Sequence, residues 1–211
     1  KYLAQVPRGD DPPRVLATEP DQRGERRVTL EWDAEPQLRI GWRVPAGVHD
    51  DAPGLAILST VLTGGRTSRL YRRLVLEDRV ATSVFSSLGP GSRFPQLFQI
   101  NAAPLGPHTT EEVETAVYDE IARIARDGPT ENELERVHNQ IAASSIRRVQ
   151  SSLGLALQLV ESVSLLGDWR ETFRYAEKLR AVSSEDVRRL AAEYLVTSGR
   201  TVATLVKRSG S

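Results

Sequence analysis

From Leu38 to Val44 the chain alternates without a break. Leu38, Ile40, Trp42 and Val44 fall on one side, and Arg39, Gly41 and Arg43 fall between them. A period of two sends successive side chains to opposite faces of a strand, so this run fits a sheet with one covered face and one open face. Whatever the rest of the chain does, it must supply a layer to cover Trp42 and its neighbours. Amphipathic helices are there to do so. Thr109 and Glu112 stand in capping-box register ahead of Val113, Ala116, Val117, Ile121 and Ile124, an apolar stripe spaced by threes and fours.

The remaining elements fall around these two. Val28–Trp32 reads as a short strand. Pro45-Ala-Gly47 ends the 38–44 strand, and Asp50 is the expected N-cap of a helix over Ala52–Leu62. Gly64-Gly65 breaks that helix, and a second short one follows over Ser68–Glu77. Strands over Val80–Leu88 and Phe94–Ala103 flank the turn signal Gly89-Pro-Gly91 and predict a hairpin. Asp127-Gly-Pro129 stops the helix headed by Thr109. Thr130 with Glu133 repeats the capping pattern and opens a long helical stretch reaching Leu166, with an irregularity near Gly154. Further helices are expected over Trp169–Arg180 and, capped by Ser183, over Glu185–Tyr194. The β-branched run Thr201–Val206 closes the chain as a strand. Separate runs of strand and helix define an α+β class, with an antiparallel or mixed β-sheet packed against helices. Residues 1–26, rich in Pro, Gly and charge, read as a linker leading into a single domain over residues 27–208.

Composition narrows the chemistry. Lys+Arg and Asp+Glu both count 28, so the formal net charge is +0 and nothing favours nucleic acid as a partner. The chain has no cysteine, which removes disulfides, thiolate metal sites and cysteine nucleophiles from consideration and fits any compartment. It has no methionine either, so a start partway through a longer polypeptide is expected. The longest apolar stretch, within Leu153–Leu166, is interrupted by Gly154, Gln158, Glu161 and two serines, and no membrane span is expected.

Candidate catalytic groups are few. His49, His108 and His138 lie far apart, and neither H-E-x-x-H nor H-x-x-E-H occurs. Glu135-Arg-Val-His138 places one carboxylate and one imidazole a helical turn apart, and reads as a solvated surface pair. No metal site is expected within these residues. Gly64-Gly-Arg-Thr-Ser68 lacks the lysine of a phosphate loop and follows a helix rather than a strand, so it reads as a tight turn between helices. Arg69, Arg72 and Arg73 would share one face of the second helix. They are candidates for a substrate-facing or interface surface, weighed against pairing with local acids such as Glu77 and Asp78.

One stretch says more. Thr63-Gly-Gly-Arg-Thr-Ser-Arg-Leu-Tyr-Arg-Arg-Leu-Val75 resembles the G-G-x-x-S-R-L-Y-x-x-L segment of the C-terminal, inactive domain of pitrilysin (insulinase) family zinc metallopeptidases, to which mitochondrial processing peptidase subunits are also similar. Gly24-Glu-Arg-Arg-Val28, Ile40-Gly-Trp-Arg-Val-Pro45 with Asp51 beyond, and Val80-Ala-Thr-Ser-Val84 extend the resemblance. So do Gly128-Pro-Thr-Glu-Asn-Glu-Leu134, Val182-Ser-Ser-Glu-Asp-Val187, Tyr194-Leu195 and Thr201-Val-Ala203.

The resemblance implies a sheet backed by helices, one of two or four like domains in a clamshell, with zinc held by a preceding domain or a homologous subunit. It implies a peptide as substrate of the whole, and a periplasmic, envelope or cytoplasmic location. Partner domains of the family can supply an arginine and a tyrosine seven positions apart to the peptide carbonyl, where donors aimed at a developing oxyanion lower the barrier. Here those positions are Val75 and Thr82: valine cannot donate a hydrogen bond, and threonine is too short to replace a phenol. The expectation is therefore a non-catalytic domain that closes a substrate chamber. The alternatives are a non-proteolytic scaffold subunit of the same fold, or a module binding peptides by strand addition at a sheet edge.

Overall fold

A computed structural model of the chain describes Gly9 and residues 20–208. The leading segment expected over 1–26 falls, for residues 1–8 and 10–19, outside the described residues. Five strands form one sheet: β1 (Arg26–Trp32), β2 (Gln37–Val44), β3 (Ala81–Gly89), β4 (Gln96–Pro104) and β5 (Arg200–Lys207). The spatial order is β1-β5-β2-β4-β3, with β1 and β5 parallel and every other neighbouring pair antiparallel. The sheet is thus mixed. The last strand enters between β1 and β2, so the two ends of the domain are bound side by side.

The alternation along β2 is realised in full. Leu38, Ile40, Trp42 and Val44 are buried beside Phe98, Ile100 and Ala102 of β4 and Val202 of β5. Three helices cover this face: α1 (Ala52–Thr63), α3 (Thr110–Asp127) and α7 (Ser184–Tyr194). They contribute Leu55, Leu58, Leu62, Val117, Ile124 and Leu190 to one continuous core. Full burial of each such side chain contributes about 1.5–3 kcal/mol. A second tier, α4 (Glu131–Val149), α5 (Ser152–Leu166) and α6 (Glu171–Ala181), lies outside the first, with α4 and α6 against α1 and α5 against α4 and α6.

The second short helix is more irregular than its sequence suggests. A single turn, α2 (Arg69–Tyr71), widens at once into a π-helical stretch over Arg72–Glu77, in which the Asp78 amide reaches back to the Arg73 carbonyl at 2.8 Å. Ahead of it the glycine pair is required. A Cβ on Gly64 would sit 2.4 Å from Thr60, and Gly65 has φ +102°.

Two local readings need correction. The residue capping α1 is Asp51, not Asp50, and its side chain makes no cap; it bonds to Arg189 and Tyr194 of α7 instead. The long helix expected to reach Leu166 breaks between Val149 and Ser152, earlier than Gly154. Ser151 caps the new helix by accepting from the Gly154 amide at 3.3 Å.

Candidate functional site

The motif residues come together in pairs that the sequence does not announce. Arg69, from the Ser-Arg-Leu-Tyr motif, lies against the Gly128–Leu134 motif. Its Nε and Nη2 donate to both carboxylate oxygens of Glu133 at 2.9 and 2.7 Å, and Nη2 also donates to the Gly128 carbonyl at 2.9 Å. Burial would raise the Glu133 pKa, but the bonds from Arg69 and the Thr130 amide outweigh it and hold the carboxyl at about 2. Asp51 accepts from Arg189 at 2.6 Å and from the Tyr194 hydroxyl at 2.7 Å, joining the start of α1 to the Tyr194-Leu195 motif. Glu25 ion-pairs with Arg27 and Arg200, and Arg27 reaches the buried carboxylate of Glu114 on α3. Arg200 stacks 3.8 Å over the Tyr118 ring. Each pair ties one segment of the fold to another.

The other two arginines of the second helix differ from Arg69. Arg72 is exposed and pairs with Glu77 at 3.0 Å. Arg73 reaches Asp78 at 3.4 Å, Asp119 at 3.0 Å and the Ala116 carbonyl at 3.2 Å. All three guanidinium groups are engaged by acids of this chain, including the Glu77 and Asp78 weighed from sequence.

Val75 lies in the π-helical stretch and is half-buried. Thr82 is exposed at the irregularity of β3, between Ala81 and Ser83, where its hydroxyl donates to the Ala103 carbonyl at 3.2 Å. Neither side chain offers a donor free to meet a developing oxyanion.

The three histidines lie in different parts of the described fold. His49 lies near Asp51, His108 bonds Glu112 at 2.7 Å, and His138 sits on α4 with Nε2 enclosed and unpartnered. The solvated Glu135–His138 pair expected from sequence is not made: the ring turns inward toward Leu179 and Arg180 of α6. No group of three or more His, Cys, Asp or Glu residues that could hold a metal occurs among the described residues. No helix among them is long and apolar enough to cross a membrane.

Two features escape the sequence. A groove of about 610 Å³ runs between α1, α4, α5 and α6, lined by Thr60, Ile141, Ser144, Gln158, Phe173 and Tyr175. Beside it, α5 buries none of its residues, although Leu153, Leu157, Val160, Val163 and Leu166 are all large and apolar. The signal for α5 was present in its near-absence of charge, Glu161 alone.

A mixed sheet with helices stacked on one face, carrying these interlocked motifs, defines an α+β domain of the peptidase class. The chain belongs to the peptidase M16 family, matching the peptidase M16 inactive domain over residues 1–141. It is 26% identical over 141 residues to an uncharacterised zinc protease of Streptomyces coelicolor, covering 67% of this chain and 30% of that protein. It is 28% identical over 174 residues to one from Mycobacterium tuberculosis, covering 82% of this chain and 39% of that protein. The matched segments thus span well under half the length of these curated relatives.

Solved structures share the fold. A protease from Helicobacter pylori superposes with a TM-score of 0.87 at 24% identity, over 94% of this chain and 48% of that one. A peptidase M16 inactive domain from Pseudomonas fluorescens gives 0.79 at 16% identity, over 99% and 49%.

Proposed function

We propose that this domain closes the substrate chamber of a zinc metalloendopeptidase, packing on a zinc-bearing domain outside these residues and taking no part in bond cleavage. The carrying observation is the pair Val75 and Thr82, which the resemblance puts at the positions where a partner domain of the family would present an arginine and a tyrosine, and which supply neither. The wide separation of His49, His108 and His138 in the sequence supports the same reading, because neither zinc motif of the H-E-x-x-H or H-x-x-E-H type can be built from them. Zinc then belongs to the preceding domain of the same chain or to a homologous subunit, and a peptide is the substrate of the whole.

The test is a cleavage assay on an unstructured peptide with added zinc, using the chain alone and the chain combined with the zinc-bearing portion. Turnover is expected only in the combination. Chelator-sensitive turnover by the 211-residue chain alone would end this reading.

The same two positions favour a second reading, a scaffold subunit that never supports proteolysis. An intact H-x-x-E-H in the accompanying portion separates the two: present for the peptidase, degenerate for the scaffold.

A further inference from the structure

The two edges of the sheet differ. β3 carries an irregularity between Ala81 and Ser83, and such a bulge twists an edge away from neighbours. β1, at the opposite edge, runs in unbroken register with β5 from Arg26 to Trp32 and holds neither proline nor lysine. All seven of its residues are exposed. The Trp32 carbonyl accepts from the Arg208 amide at 3.0 Å, so Trp32 turns its backbone groups toward β5. Backbone groups alternate along a strand as side chains do. Leu30, Val28 and Arg26 therefore also face β5, and Arg27, Thr29 and Glu31 point N–H and C=O out of the sheet.

The residues of this edge match a second copy of themselves turned about a two-fold axis. Set antiparallel about Thr29, Arg27 of each copy meets Glu31 of the other, Val28 meets Leu30, and Arg26 meets Trp32. The outward backbone groups then bond Thr29 to Thr29 and Arg27 to Glu31. Opposite charges, an apolar pair and a guanidinium over an indole are each favourable across strands. Arg27 is held in advance by Glu25 and Glu114, yet its side chain stays 49% exposed. A slip of one residue would set helix-side groups against those of the open face, and a slip of two would leave Arg27 opposite Thr29. We infer that β1 is a self-association edge whose partner is a second copy of this chain, paired antiparallel about Thr29. A two-fold contact must be self-complementary, and this edge is. An extended peptide of arbitrary sequence can use the same backbone groups but lacks the reciprocal charges. The inference is independent of the function proposed above.

One strand a side makes a small interface, so the dilute chain is a single copy and the pair forms with a midpoint on the order of 100 μM. Sedimentation velocity over a concentration series of the 211-residue chain should show this reversible monomer–dimer exchange. Glu31→Arg sets arginine against Arg27 in both halves of the contact and should raise the midpoint about tenfold or more. Thr29→Pro removes an N–H that does not face β5, a place where an edge strand tolerates proline, and should do the same with an unchanged circular dichroism spectrum. The chain has no cysteine, so a single thiol reports the register. A hydrogen-bonded antiparallel pair spaces its Cα atoms about 5.5 Å apart, within disulfide range. Thr29→Cys should therefore cross-link under mild oxidation about tenfold faster than Arg126→Cys, a control at a side chain 69% exposed on α3.

A single-copy species at every concentration overturns the inference. So does a dimer that survives Glu31→Arg, which places the contact elsewhere, or a Thr29→Cys thiol no faster to cross-link than the control. Loss of the Thr29→Pro fold leaves the other two variants to decide. Protection of the Arg27, Thr29 and Glu31 amides only on adding an unstructured peptide gives the edge to strand addition and overturns self-association.

Discussion

Arg69 gives the Ser-Arg-Leu-Tyr motif a structural task. Its guanidinium is half-buried and holds α2, the Gly128 carbonyl and the first turn of α4 in one arrangement. Breaking a partly buried charge pair from one side leaves the other charge desolvated. Arg69→Ala should therefore lower stability by about 2–4 kcal/mol, read as the midpoint in urea, while Arg72→Ala, an exposed partner of Glu77, should change it by about 0.5 kcal/mol or less. Equal effects would contradict the distinction. The Glu133 carboxyl adds a pH signature. Its pKa falls from 4.5 to about 2 on folding, so the unfolded chain takes up the proton first. The stabilisation is whole above pH 4.5 and is lost as the pH falls toward 2. Glu133→Gln should flatten that part of the stability profile; an unchanged acid limb would show that the pair carries little.

Among the elements, those whose signals are local were legible, and those decided by tertiary contact were not. β2 followed its alternation because one face is covered and the other open. The Ser183 cap was read correctly and proves to be a full capping box, with Ser183 accepting from the Asp186 amide at 3.1 Å and Asp186 accepting from the Ser183 amide at 2.9 Å. Ser183→Ala should cost about 1 kcal/mol, measured by thermal unfolding, and Ser183→Asp should recover most of it. At the other end of the scale, Asp50 looked like the cap of α1, but Asp51 takes that place, and its side-chain hydrogen bonds go to α7, 138 and 143 residues away in sequence. The π-helical stretch was illegible for a similar reason. Leu70 and Leu74 satisfy an ordinary helix, and only the contacts of Arg73 with α3 betray the wider turn. Gly54 is a further case, silent in the sequence because its reason lies on α7. A Cβ there would come 2.2 Å from Leu190 Cδ1, so Gly54→Ala should destabilise the α1–α7 contact by about 1–3 kcal/mol despite its better helix propensity. Recovery by Leu190→Ala in the double variant would identify that clash as the cause.

For the molecule as a whole, stability is expected to be graded from a tight centre to two loosely held margins. β2 and β4 pair along their length, and α1 and α3 close over them with side chains fully buried. At one margin β1 touches the sheet only through β5, and all seven of its residues are exposed, Trp32 included. At the other margin α5 buries nothing. Segments with few buried apolar contacts open without the rest. Amide hydrogen exchange in the chain alone should therefore find β2, β4 and α1 exchanging only by global unfolding, with β1 and α5 about a hundredfold or more faster. An α5 as slow as α1 would mean that the second tier is as firmly packed as the first, although α5 has no buried residue to hold it there.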